Sequence, residues 1–211
     1  MFHAAAKMLS FNPVQVPRID LMEHYDAVFT ELSVTSLGNV KMVAALAPFK
    51  PATMWTTVVP TPSIFASLLL HGVYPMAPSP DGDHSLGLDG LDAFLEYGPM
   101  LRAMRGREWV LTAHAVSSSD ADVNLFSLPC GALLAPVVPL ERKLNANTAM
   151  GVEVTFASLP ETATFSALQH GRRAQWTPLS GSTIVRRVGD VFVVAVTVTN
   201  GIAMIRVNVT G

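Results

Sequence analysis

The chain has 211 residues, half of them hydrophobic, and 14% are Asp, Glu, Lys or Arg, against about a quarter in an ordinary soluble domain. A net charge of −2 excludes a global basic field for nucleic acid, and a single cysteine, Cys130, excludes an intrachain disulfide. A monomer needs charge to keep its exterior wetted, so this shortfall predicts a surface largely covered by copies of the chain or by partners.

Such a length suits one all-β domain. Residues 1–18 read as an N-terminal arm, with a short helical turn at 4–9 and no long apolar core before Pro13 that would make a secretory signal. Strands are predicted at 27–35, 40–47 and 54–59. The apolar run at 58–70 is broken by Pro60 and Pro62, and no stretch of 18 apolar residues predicts a membrane span. Pro48, Pro51, Pro60 and Pro62 bracket strands, where prolines protect edges and bend connections. After Pro78-Ser79-Pro80 comes Asp81-Gly82-Asp83-His84. Oxygen ligands at that spacing could hold calcium, but Ser85 and Leu86 stand where an EF-hand loop needs an acid or amide and a glycine. The segment reads as a solvated turn.

Leu88, Leu91, Phe94 and Leu95 make a helical stripe, with Asp89 and Asp92 in its first turn and Gly98-Pro99 as its stop. A second short turn follows at 100–104. The next predicted strand, 108–116, carries His114 on the face opposite Trp109, as an exposed or hydrogen-bonded strand histidine. Cys130 reads as a small buried apolar residue, and 132–138 is a further strand. Val152, Val154 and Phe156 alternate with Glu153, Thr155 and Ala157, Pro160-Glu161 turns, and 162–168 returns, which predicts a hairpin. Strand 182–188 follows. Last, Val194, Val196 and Val198 alternate with Ala195, Thr197 and Thr199. Asn200-Gly201 supplies the positive φ values of a tight turn, and Ile205, Val207 and Val209 alternate beyond it. This too predicts a hairpin. Short strands punctuated by Pro, Gly, Asn and Ser favour a sandwich or barrel over alternating β-α units.

Catalytic signatures are missing from the linear sequence. His3, His24, His71, His84, His114 and His170 show no metal-type spacing and there is no cysteine pair, so neither a zinc site nor any other metal or cofactor is expected. Leu179-Ser180-Gly181-Ser182 fails the serine-hydrolase pattern, and no phosphate loop is present. Paired carboxylates for glycoside cleavage converge only in three dimensions and stay open. Asn208-Val209-Thr210 fits the glycosylation pattern, a match too short to imply secretion. Positive charge gathers in four clusters: Arg102, Arg105 and Arg107; Arg142 and Lys143; Arg172 and Arg173; Arg186 and Arg187. They either contact phosphates or subunit seams or are solvated pairs answering acids such as Glu108 and Glu141.

Three pieces carry a family resemblance. Val73-Tyr74-Pro75-Met76-Ala77-Pro78-Ser79-Pro80 is a strand end running into a Pro/Ser loop. Val138-Pro139-Leu140-Glu141-Arg142-Lys143-Leu144-Asn145 precedes the strand at 152–156, and the chain closes on the pair 191–199 and 202–210. With the low charge, they make the chain resemble the single jelly-roll coat proteins of small icosahedral RNA viruses, the tymovirus type above all. Residues 88–107, which read as helix and charge, depart from that pattern. The resemblance implies an antiparallel eight-stranded jelly-roll sandwich over 19–211 with one or two short helices in its loops. It also implies many copies closing a shell around genomic RNA, virions assembled in host cytoplasm, and no catalysis. Obligate interfaces are more apolar than ordinary surface, which accords with the sparse charge. The rival expectation is a β-sandwich carbohydrate-binding module or hydrolase using Trp55, Trp109 or Trp176 as a stacking platform. A non-viral cage subunit is a further alternative.

Overall fold

The computed structural model describes residues 10–11, 24–56, 58–76, 87–140 and 149–209, and the chain divides into two units, Met1–Phe94 and Leu95–Gly211. Most of the regular structure is β, and its larger part is antiparallel and arranged as a sandwich.

The first unit follows a different rule. Its strands β1 (Ser10–Phe11), β2 (Ala27–Thr30), β3 (Ala52–Trp55) and β4 (Tyr74–Met76) lie side by side in chain order, all parallel. Parallel neighbours cannot be joined by a tight turn and need a crossover. Helix α1 (Leu37–Leu46) makes the crossover from β2 to β3, and α2 (Pro62–Leu70) the one from β3 to β4. The strand predicted at 40–47 is therefore helix. Its apolar run suits either element, and the cap decides: the Ser36 side chain accepts the amide of Asn39, and Val40, Val43 and Ala44 fall on one buried face.

The same reasoning corrects Pro62. It stands in the first turn of α2, where its missing N–H costs nothing, behind the N-cap Thr61, whose hydroxyl accepts the amide of Ile64. Leu68, Leu69 and Leu70 are all buried. The helix ends in a Schellman motif, with Gly72 at φ 69, the Gly72 amide on the Leu69 carbonyl and the Val73 amide on the Leu68 carbonyl.

Helix α3 (Gly87–Ala103) runs through Pro99 rather than stopping there. An internal proline costs roughly 3 kcal/mol, but Tyr97, Met100 and, just past the end, Met104 are buried along the same stretch. The Asp81–Asp83 segment, Arg142 and Lys143, and the arm at 1–18 apart from Ser10 and Phe11 lie outside the described residues.

Among the described residues of the second unit, eleven antiparallel strands form two sheets. One has the order β13 (Val185–Val188), β14 (Val191–Val198), β10 (Met150–Ala157), β6 (Val116–Ser117). The other runs β12 (Thr177–Leu179), β11 (Thr164–Gln169), β15 (Ala203–Asn208), β9 (Leu133–Pro139), β8 (Phe126–Ser127), β5 (Glu108–Trp109), with β7 (Ala121–Val123) also on β9. An eight-stranded count is not what these sheets show.

Both predicted hairpins turn out to be corners. β10 pairs with β14 over eight residues and β11 with β15, so Pro160-Glu161 and Asn200-Gly201 each carry the chain from one sheet to the other. The φ values of 49 at Asn200 and 84 at Gly201 are those of the expected turn, but one bridge, Thr199 to Ile202, is all the pairing it makes before the strands part. The tight hairpin is instead β13–β14, closed by Gly189-Asp190 with Gly189 at φ 60. Between the layers, Phe165 stands 5.7 Å from Phe156 and 5.3 Å from Phe192. Around them Val152, Val154, Val194, Val196, Ile205 and Val207 complete the core.

Two further expectations change. The strand at 108–116 is two short strands in different sheets, and His114 sits exposed in the turn between them at φ 58. Cys130 is exposed, with the Arg206 guanidinium 3.6 Å from its sulfur.

Candidate functional site

Parallel β-α units direct every strand the same way, so their carboxyl ends gather on one edge, where open α/β sheets bind ligands. Register fixes which side chains share the face that leads to that edge. Phe29 lies opposite Thr53 and Thr53 opposite Tyr74, while Trp55 lies opposite Met76. These five share one face, and alternation places Glu31, one residue beyond β2, on the same side. The other face carries Val28, Thr30, Ala52 and Met54, all fully buried; α1 packs on β2 and β3, and α2 on β4.

Parallel sheets ordinarily have both faces covered. Here the aromatic face is half-exposed: Phe29, Trp55 and Tyr74 are intermediate, and Met76 and Glu31 are exposed. The rings of Phe29 and Trp55 are 6.5 Å apart and tilted by 42°.

Short polar contacts hold the edge in shape. The Thr30 hydroxyl accepts the amide of Leu32 at 3.2 Å, turning the chain at Glu31 as it leaves the sheet. Ser33 and Thr35 hydroxyls meet at 2.8 Å, and the Asn39 side-chain amide donates to the Ser33 carbonyl at 3.2 Å. Beyond β3, buried Thr56 sends both its amide and its hydroxyl to the Met76 carbonyl, at 3.1 and 2.8 Å, tying the ends of β3 and β4 together. The edge thus offers one carboxylate beside a platform of rings. The rival expectation offered Trp55, Trp109 or Trp176 as a stacking platform and did not include Glu31; the signal was an acid directly after a buried strand and before a Ser/Thr-rich connection.

The other tryptophans differ. Trp109 packs edge-on against buried Phe126, ring centres 5.1 Å apart. Trp176 is half-buried in the connection from β11 to β12. The sandwich has a flank cleft of about 360 Å³ lined by Gly151, Gln169, Thr177, Leu179, Ile184 and Thr197 among others, with no charged side chain in its lining.

Among the described residues the basic clusters differ in exposure and partners. Arg102 and Arg105 are exposed, but Arg107 is 3% exposed and lies over the Phe126 ring at 5.8 Å, so it cannot face an exterior partner. Arg172 and Arg173 are exposed. Arg186 makes a two-pronged contact to Glu153 at 2.9 and 3.0 Å, and Arg187 meets Glu161 and the Gly189 carbonyl. Those acids are distant in sequence, whereas local partners had been expected. Among the described residues no three His, Cys, Asp or Glu side chains gather as a metal site would require, and no helix is long and apolar enough to cross a membrane.

No family model and no curated protein matches the sequence. Among solved structures, the chain is similar to the catalytic domain of the GH30 xylanase C from Talaromyces cellulolyticus, with a TM-score of 0.44 and 9% identity over 91% of this chain and 47% of that one. It is similar also to a Bacteroides fragilis protein described as an alpha-galactosidase/melibiase, at 0.45 and 9% over 90% and 44%. A rhamnosidase from Novosphingobium sp. PP1Y gives 0.32 and 12% over 89% and 17%. The chain spans less than half the length of each. All three are glycoside hydrolases by name, and none is a coat protein. The expectation of a self-assembling viral coat around RNA is corrected, and with it the expectation that the chain is no enzyme. The fold gives the physical reason: β-α-β crossovers through a parallel sheet fill the region where one antiparallel sandwich over 19–211 had been expected.

Proposed function

We propose that the chain is a carbohydrate-directed protein of the hydrolase type, with the carboxyl edge of the parallel sheet as its glycan face. The observation that carries this reading is the shared, half-exposed face of Phe29, Trp55 and Tyr74 with Glu31 at its rim. Sugar rings present apolar C–H faces ringed by hydroxyls. Aromatic side chains bury the first, while carboxylates accept from the second and exchange protons with the glycosidic oxygen.

Glycoside cleavage uses two carboxyl groups across the scissile bond, one giving a proton and the other meeting the developing positive charge. Glu31 would supply one of them. The test is calorimetric titration with a panel of neutral oligosaccharides. Trp55→Ala should weaken binding about tenfold, as expected for the loss of one aromatic contact. Glu31→Gln should retain binding and lose release of reducing ends. Affinity unchanged in Trp55→Ala would remove the assignment.

A further inference from the structure

His170 ends the run from β11 into its connection, and three groups of the second unit converge on it. Its Nε2 meets the side-chain amide nitrogen of Asn200. Its Nδ1 lies 3.8 Å from the Glu96 carboxylate. The Tyr97 ring stands at 89° to the imidazole with centres 5.8 Å apart. The Gly171 amide, next on the chain, donates to the Glu96 carbonyl at 2.9 Å, which holds the histidine segment against the helix.

The side chain of His170 is 16% exposed. Asn200 is the left-handed residue of the corner that sends the chain from β14 to β15, so whatever holds Asn200 holds that corner.

We propose that His170 is a proton-operated latch on the β14–β15 corner. In the neutral ring, Nε2 is an acceptor and takes a hydrogen from the Asn200 amide, while Nδ1–H points toward Glu96. Adding one proton makes Nε2 a donor. Two donors then face each other, and Asn200 must rotate its amide or leave. The polarity of this one contact therefore reports pH directly to the turn between the sheets.

The surrounding groups decide where the latch works. Glu96 faces the ring from α3 and favours the charged imidazole. Tyr97, on the same helix, is pushed up to about 12 by burial first and by Glu96 second, so it stays neutral throughout the working range. Asn200 is uncharged, and Arg172 and Arg173 follow His170 at exposed positions on its own segment. Burial outweighs Glu96 and holds His170 below its ordinary value of 6.5. The unfolded chain consequently takes up the proton first. The stabilising contribution is complete above the ordinary value and is lost as pH falls below it.

Hydrogen exchange of the amides at 199–203, corrected for its intrinsic pH dependence, tests the latch between pH 7.5 and 5. Wild-type protection should fall by up to about tenfold per pH unit below the midpoint. Asn200→Gly tolerates the positive φ and removes the side chain that carries the amide, so it should exchange quickly at both ends of the range without a step. Glu96→Gln should move the midpoint to lower pH. A wild type with no step, a step that persists in Asn200→Gly, or a midpoint unmoved by Glu96→Gln would overturn the proposal.

Discussion

The two units solve the same problem, burying apolar strands, in opposite ways. In the first, neighbours in the sheet are neighbours in the chain, and the crossover helices pack on strands they adjoin, α1 on β2 and β3 and α2 on β4. In the second, the central partners are far apart: β10 and β14 are separated by 33 residues between their facing ends, and β9 pairs with β15 from the far side of five other strands. Local capping therefore governs the one unit and long-range pairing the other. Contacts of the second kind carry a larger loop-closure cost, which slows their formation.

Substitutions can break or sharpen this contrast. The greatest loss is expected in the sandwich core, where Phe165→Ala removes the ring touching both Phe156 and Phe192. Urea denaturation should show a loss of about 3–5 kcal/mol; a loss below about 1 kcal/mol would mean the layers are held elsewhere.

Next comes Gln169, whose side-chain amide bonds the end of β14 beyond the reach of β13. Its nitrogen donates to the Thr197 carbonyl, and its oxygen accepts from the Thr199 amide and hydroxyl. Gln169→Leu should cost roughly 1–2 kcal/mol by the same measurement, with faster exchange at Thr199.

In the first unit, Thr61→Ala should cost about 1 kcal/mol through the lost cap of α2, and Thr61→Asp should restore it. A cap effect as large as the Phe165 effect would erase the contrast between the units. Smallest is Arg186→Ala: the Glu153 pair is about half exposed and should contribute less than about 1 kcal/mol, falling further in high salt.

Alternation in 152–157 and 194–199 located the strands Met150–Ala157 and Val191–Val198 and their inward faces, because period two follows from strand geometry alone. It could not name partners. Val194 and Val196 enter the same core whether β15 lies beside β14 or across from it, so hairpin and corner look alike in sequence. The Gly189-Asp190 turn was legible and was missed, as was Thr61-Pro62, an N-cap followed by a first-turn proline. At the glycan face, Trp55 could be suspected from its type alone. Glu31 became visible only through parallel register, which depends on recognising α1 as helix. The apolar content of 40–47 hid that, since Val and Ala fill a buried helix as readily as a strand.

One consequence follows from the place of β15. It lies between β9 and β11 in the middle of its sheet, although it follows every other strand of that sheet in the chain. Until the ribosome has released residue 208, β9 and β11 each lack the neighbour that joins them, and their apolar edges wait unpaired. A nascent chain stalled before that point should engage holding chaperones, and completion of one six-residue strand should release them.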